Sequence, residues 1–294
     1  MKTYLSSIPM LIYRLARRCP DRVAVIDSNL KRYTYHSLNS MADAVGRMFP
    51  TEQASRVGVL TGAGIRQIAS ILAIIKKGGA YVPLDPALNS AALRRAAAKA
   101  GVDFVIADKE NISRLGEIRA VELPEVIEYE PTDGFAPISL GRKSIACAMP
   151  SIDGSYEELS GLAVRKHARF LNEEFGITAN DVVLQSSVAT SPMFLAEVFA
   201  TMMKGATLAI LPERNRGYAK AVADFAERAG VTVICGYRPM VDELGLMHRL
   251  PSRVRMLLGV ASDRLMATLS GFNKADTWRC WFAIKFGSRN LSLR

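Results

Sequence analysis

Apolar residues along the chain fall into two alternating rhythms. Short β-branched runs at residues 56–60, 103–107, 144–148, 181–185, 207–211, 231–235 and 254–258 predict buried strands. Helical periodicity fills the intervals. Within residues 64–77, Ile65, Ile68, Ala69, Leu72 and Ile75 share one face, Lys76 and Lys77 suit the negative end of the dipole, and Gly78 suits a left-handed cap. Ser90 is placed to cap an alanine-rich helix over 91–100 that stops at Gly101. Further helices are predicted over 37–48, 156–175, 193–204, 218–229 and 239–246. Alternation of this kind specifies an α/β protein with largely parallel sheets, here two layered βαβ subdomains. Residues 121–142 hold Pro124, Pro131 and Pro137 without periodicity, which places the boundary there. The expected division is residues 1–142, residues 143–260, and a tail over 261–294 for which the pattern predicts no element.

Composition narrows the possibilities. With 294 residues, 49% of them hydrophobic, the chain has core enough for two subdomains and is too apolar for disorder. Charged residues interrupt every stretch that approaches the ~18 apolar residues of a membrane span. The apolar patch at Ile8–Tyr13 is short and runs into Arg14, Arg17 and Arg18, unlike a secretory signal. Cys19, Cys147, Cys235 and Cys280 are scattered without a CxxC pair, so a reducing cytoplasm is expected and neither disulfides nor zinc. The net charge of +10 is spread over the first half and concentrated in the tail. There Trp278, Trp281, Phe282 and Phe286 interleave with Arg279, Lys285, Arg289 and Arg294. No stripe or module for specific nucleic-acid binding precedes them. His36, His167 and His248 lack a nucleophile or carboxylate at diagnostic spacing. Residues 61–67, TGAGIRQ, lack the third glycine of a dinucleotide loop.

Residues 71–86, ILAIIKKGGAYVPLDP, carry a more specific signal: a helix stopped by glycines, a short strand, then an exit fixed by Pro83 and Pro86. The segment resembles the second core motif of amino-acid adenylation domains in nonribosomal peptide synthetases, members of the adenylate-forming, AMP-binding superfamily. Residues 33–39, YTYHSLN, resemble the first core motif, and residues 181–213 resemble the strand–helix–strand unit around the fourth. The resemblance covers roughly residues 10–260, about the first half of such a domain. It implies ATP and Mg2+ as cofactors, attack of an amino-acid carboxylate on the α-phosphate, and transfer of the acyl group to a carrier-protein thiol.

The sequence departs from that family where the chemistry would occur. The family's glycine-rich phosphate loop, with its lysine, should follow the strand at 144–148. Ser151, Asp153, Gly154 and Ser155 stand there without a lysine, and Asp153, Glu157 and Glu158 place carboxylates where polyphosphate would lie. Pro192 takes the position of the aspartate that pairs with the substrate ammonium, so a desolvated cation there would have no counter-charge. Ser186, Ser187, Thr190 and Ser191 could hydrogen-bond a neutral ligand. The family's later motifs find no counterpart in residues 261–294. The expectation is therefore a degenerate, truncated adenylation-like domain without catalysis by itself, with no catalytic residue or metal site assigned. The alternative is an adenylate-forming ligase with divergent nucleotide contacts, or one completed by a partner chain. The helix predicted at 193–204 is apolar around much of its circumference, which calls for cover from a homo-oligomer, a peptide-synthetase or carrier-protein partner, or the tail.

Overall fold

The computed structural model describes residues 7–51, 55–130, 134–138, 144–151, 154–237, 244, 251–260, 281–287 and 290–293. Two sheets organise them. The first runs β6 (Ala120–Leu123), β5 (Phe104–Asp108), β3 (Arg56–Leu60), β4 (Ala80–Pro83), β7 (Ile145–Pro150) and β8 (Tyr156–Ser160). It is parallel except for β8, which returns antiparallel along β7. The second runs β14 (Asn290–Leu293), β13 (Trp281–Gly287), β12 (Met256–Val260), β11 (Val233–Tyr237), β9 (Val182–Gln185), β10 (Thr207–Ile210), β1 (Val23–Ile26) and β2 (Arg32–Thr34). Its middle, from β12 to β1, is parallel, with antiparallel strands at both edges.

Five layers result. Helices α1 (Ile8–Arg18), α2 (Tyr35–Arg47), α3 (Ile65–Lys76), α6 (Gly161–Phe175) and α7 (Pro192–Lys204) fill the space between the sheets in one continuous core. Helices α4 (Ser90–Ala100) and α5 (Lys109–Leu115) cover the outer face of the first sheet, and α8 (Ala219–Ala229) that of the second. Both faces of the central strands are therefore buried, which is why they read as unbroken apolar runs: Val57 and Val59 face the inner helices, while Leu60 faces outward. Lying in the middle layer, α7 buries Met193, Phe194, Val198, Phe199 and Met202 within the chain. Its apolar circumference needs no outside cover, and among the described residues the large exposed apolar side chains, Val126, Ile138, Phe170, Val188 and Tyr218, sit on separate segments.

Sheet membership does not follow the expected division at 142/143. β1 and β2 cross to the second sheet, and β7 and β8 return to the first, because strand pairing is decided across the molecule and not along the chain. The helix predicted from residue 156 begins at Gly161: Ser160 caps it, its Oγ accepting from the Ala163 amide at 3.1 Å, and residues 156–160 pair with β7 instead. Asn89, one residue before the expected cap, accepts from the Ala92 amide at 2.9 Å. Strands β13 and β14 lie in the tail, for which the pattern predicts no element. The helix expected at 239–246 lies outside the described residues apart from Leu244.

The proline-rich linker is held by Arg66, which donates to the Leu123 and Pro124 carbonyls, and again at residues 134–138. Gly134 adopts φ +71°, and the Ile138 amide donates to the Lys76 carbonyl at 2.9 Å. Beneath this strap Lys76 forms a fully buried ion pair with Asp43, donates to Asn39 Oδ1 at 2.8 Å, and lies 4.6 Å from the Phe135 ring centroid. Burial pushes the Asp43 carboxyl up and the Lys76 ammonium down, and their mutual bond opposes both shifts.

Candidate functional site

Parallel sheets present ligands at the carboxyl ends of their strands. Here those ends are brought together: the Ala63 amide, just after β3, donates to Glu213 Oε1 at 3.0 Å, just after β10. Around this junction lie the loops after β3, β7 and β9, which carry the sequence-predicted positions.

The connection after β7 is a tight hairpin turn. The Ser151 amide donates to the Ser155 carbonyl at 2.8 Å, the Gly154 amide donates to the Ser151 carbonyl at 2.9 Å, and Gly154 takes φ +74°. Two amides that could have wrapped an anion are thus spent inside the turn. Asp153 lies outside the described residues. Glu157 is exposed on β8, and Glu158 pairs with Arg56. Lys99, on α4, reaches to 3.6 Å from the position a Cβ at residue 154 would occupy.

The glycine loop after β3 is filled by the protein's own carboxylates. Besides the contact of Glu213 with Ala63, Asp108 Oδ2 accepts from the Gly62 amide at 2.8 Å, and Arg66 lies 2.8 Å from its Oδ1. Burial raises the Asp108 pKa, and the Gly62 amide and Arg66 oppose the rise.

The loop after β9 leads into α7. Pro192 opens that helix at a position where no amide donor is needed, and Ser191 caps it, its Oγ accepting from the Met193 amide at 3.2 Å. Ser186 and Ser187 face inward onto Glu197, one helical turn beyond Pro192, a residue that reading the sequence passed over. Glu197 is 2% exposed in an apolar helix. Its Oε1 accepts from the Ser186 amide (3.3 Å), the Ser186 hydroxyl (3.2 Å) and the Ser187 hydroxyl (2.9 Å). Its Oε2 accepts from the Ser187 amide (3.2 Å) and Gln185 Nε2 (3.3 Å). Burial pushes its pKa up to about 7 against the opposing pull of these donors. The available signal was a lone carboxylate inside FLAEVFA, preceded by the polar triplet Gln185-Ser186-Ser187. Of the four residues expected to serve a neutral ligand, Ser186, Ser187 and Ser191 are engaged within the protein, and Thr190 is half-buried.

Comparison with known proteins agrees with this architecture. Residues 12–142 match the family of AMP-binding enzymes. The chain is 27% identical over 240 residues to a polyketide synthase-nonribosomal peptide synthetase of Aspergillus clavatus, a match that covers 77% of this chain and 6% of that protein. It superimposes on a nonribosomal peptide synthetase with AMPPNP bound at TM-score 0.76 and 20% identity, covering 87% of this chain and 31% of that one. It superimposes on the N-terminal subdomain of Klebsiella oxytoca NpsA, in complex with 3-hydroxybenzoyl-AMSN, at TM-score 0.75 and 17% identity, covering 94% of this chain and 72% of that one. The chain is similar in sequence to nonribosomal peptide synthetases, has the fold of the N-terminal subdomain of adenylate-forming enzymes, and spans a small part of the synthetase it matches. Among the described residues no helix is long and apolar enough to cross a membrane.

Proposed function

We propose that this chain is an adenylation-like module that does not activate amino acids by itself and acts through a partner of a peptide-synthetase pathway. The turn at residues 151–155 carries this reading. A transferring phosphoryl group needs converging donors and cations, whereas this turn spends the Ser151 and Gly154 amides on its own carbonyls and has no lysine. The residues there do not fit a triphosphate. The carboxylates of Asp108 and Glu213 on the neighbouring amides, and Pro192 where an ammonium partner would be required, support the same reading. The partner fitting it is a synthetase or carrier-protein chain, or a second copy of this one, in the cytoplasm.

A second reading, a ligase completed by another chain, is favoured by one observation. Lys99 brings a cation from α4 to the Gly154 turn, where the loop has none of its own. The two readings separate by ligand-induced stabilisation, since a ligand present at a hundred times its Kd adds about 2.7 kcal/mol. Under the first reading, millimolar amino acids, alone or with Mg-ATP, leave the melting temperature unchanged, and Pro192→Asp does not alter that. A reproducible rise of several degrees with one amino acid contradicts it.

A further inference from the structure

The loop of residues 186–191 reaches the carboxyl-end face through one buried carboxylate, and the hydrogens around that carboxylate can be arranged in two ways. The Ser186 hydroxyl has one proton and two acceptors within reach: Glu197 Oε1 at 3.2 Å and the Cys235 carbonyl of β11 at 2.9 Å. When the proton goes to the nearer carbonyl, a lone pair of Ser186 Oγ faces Glu197. A charged carboxylate is repelled by it, whereas a protonated one can donate to it. The remaining neighbours discriminate between the same two states. Oε2 keeps the Ser187 amide and Gln185 in either, whereas on Oε1 the nearer Ser187 hydroxyl, at 2.9 Å, and the Ser186 amide compete for the lone pair that protonation leaves.

We propose that Glu197 is a two-state positioning residue for this loop. Charged, it holds the backbone amides of both Ser186 and Ser187; protonated, it donates through Ser186 Oγ to the Cys235 carbonyl and releases the Ser186 amide. The proton arrives from solvent and stays on Oε1, so no covalent bond other than that O–H is made or broken. Its pKa near 7 puts both states within a neutral range. Other ionisable groups on the elements around α7 are few. The Cys235 thiol on β11 is held well above its ordinary range by burial and by Glu197 itself, so it stays neutral. β10 carries no ionisable side chain, while α6 carries His167, pushed down by burial, with Arg165, Lys166, Arg169, Glu173 and Glu174. α1 carries Tyr13, Arg14, Arg17 and Arg18.

What the release does to a ligand rests on the reading that this loop faces the ligand side. The release itself does not, and it is measured without any ligand. In the full chain labelled with 13C at glutamate carboxyls and 15N at amides, Glu197 titrates between pH 5.5 and 8.5. Over the same range the protection of the Ser186 amide, corrected for intrinsic exchange, falls at least tenfold towards acid while that of Ser187 holds. Glu197→Gln, a neutral mimic, shows at pH 8 the low Ser186 protection of the acid form. Ser186→Ala removes the hydroxyl through which the neutral form is held, so the residue-186 amide no longer loses its protection towards acid. If Glu197→Gln does not fold, the wild-type titration and Ser186→Ala still decide. Absence of a Glu197 titration in that range, constant Ser186 protection, parallel loss at Ser186 and Ser187, or acid-sensitive protection of residue 186 that persists in Ser186→Ala would each overturn the proposal.

Discussion

Two carboxylates at opposite ends of β9 are displaced in opposite directions, and each gives stability its own dependence on pH. For Glu197 the native pKa, about 7, lies above the ordinary 4.5. The native state therefore holds the proton more tightly than the unfolded chain. The stabilisation is complete below pH 4.5 and is lost as pH rises through 7, a change of about 3 kcal/mol. Glu197→Gln should flatten urea-derived stability across that window, and an unchanged slope would remove Glu197 as its source. Asp181 is the reverse case. Burial raises its pKa, but bonds from Arg255, the Thr178 amide and Thr232 outweigh it and hold the carboxyl at about 2. Its contribution is present above pH 3.8 and disappears as pH falls through 2. Arg255 donates to it at 2.7 and 2.8 Å, so Arg255→Ala should return the Asp181 midpoint towards the ordinary range and move acid unfolding to higher pH. An acid midpoint identical to wild type would mean that the pair contributes nothing.

Among the elements, the strap at residues 134–138 shows how an irregular segment is held. A Cβ at Gly134 would collide with the Asp43 carboxylate and lie 2.6 Å from Asn39 Nδ2, and its φ of +71° disfavours any side chain. Gly134→Ala should therefore destabilise, and Lys76→Met should do so by about 3–5 kcal/mol because it leaves the Asp43 carboxylate buried without its ion partner. Asp43→Asn combined with Lys76→Met should recover part of the loss, as seen in denaturant midpoints. Equal stability of Lys76→Met and wild type would show that the pair is dispensable. Local signals made other elements legible in the sequence. The 3.6-residue stripe of α3, the β-branched run of β3 and the left-handed glycines after α3 and α4 are set within a few residues of one another. β8 was not legible, since Tyr156–Ser160 satisfies helical spacing equally well and only the neighbouring β7 decides between the two. β1 depends on pairing with β10, far along the chain, which no local window contains, and β2 joins the sheet through β1.

At the scale of the molecule, the order of motifs disclosed the resemblance to adenylation domains, whereas the interleaving of the two sheets and the middle position of α7 did not follow from it. The same limit applies to the candidate site. Ser151, Gly154, Ser155 and Pro192 were nominated by their positions relative to the motifs, but Glu197 emerged only when folding turned two hydroxyls, two amides and a helix towards one point. The central claim is the proposed lack of amino-acid activation, which rests on the Ser151 and Gly154 amides being spent within their own turn. ATP–pyrophosphate exchange by the purified chain, with Mg2+ and each proteinogenic amino acid in turn, tests that claim most directly. The predicted result is exchange indistinguishable from a control without protein; amino-acid-dependent exchange clearly above it would contradict the account.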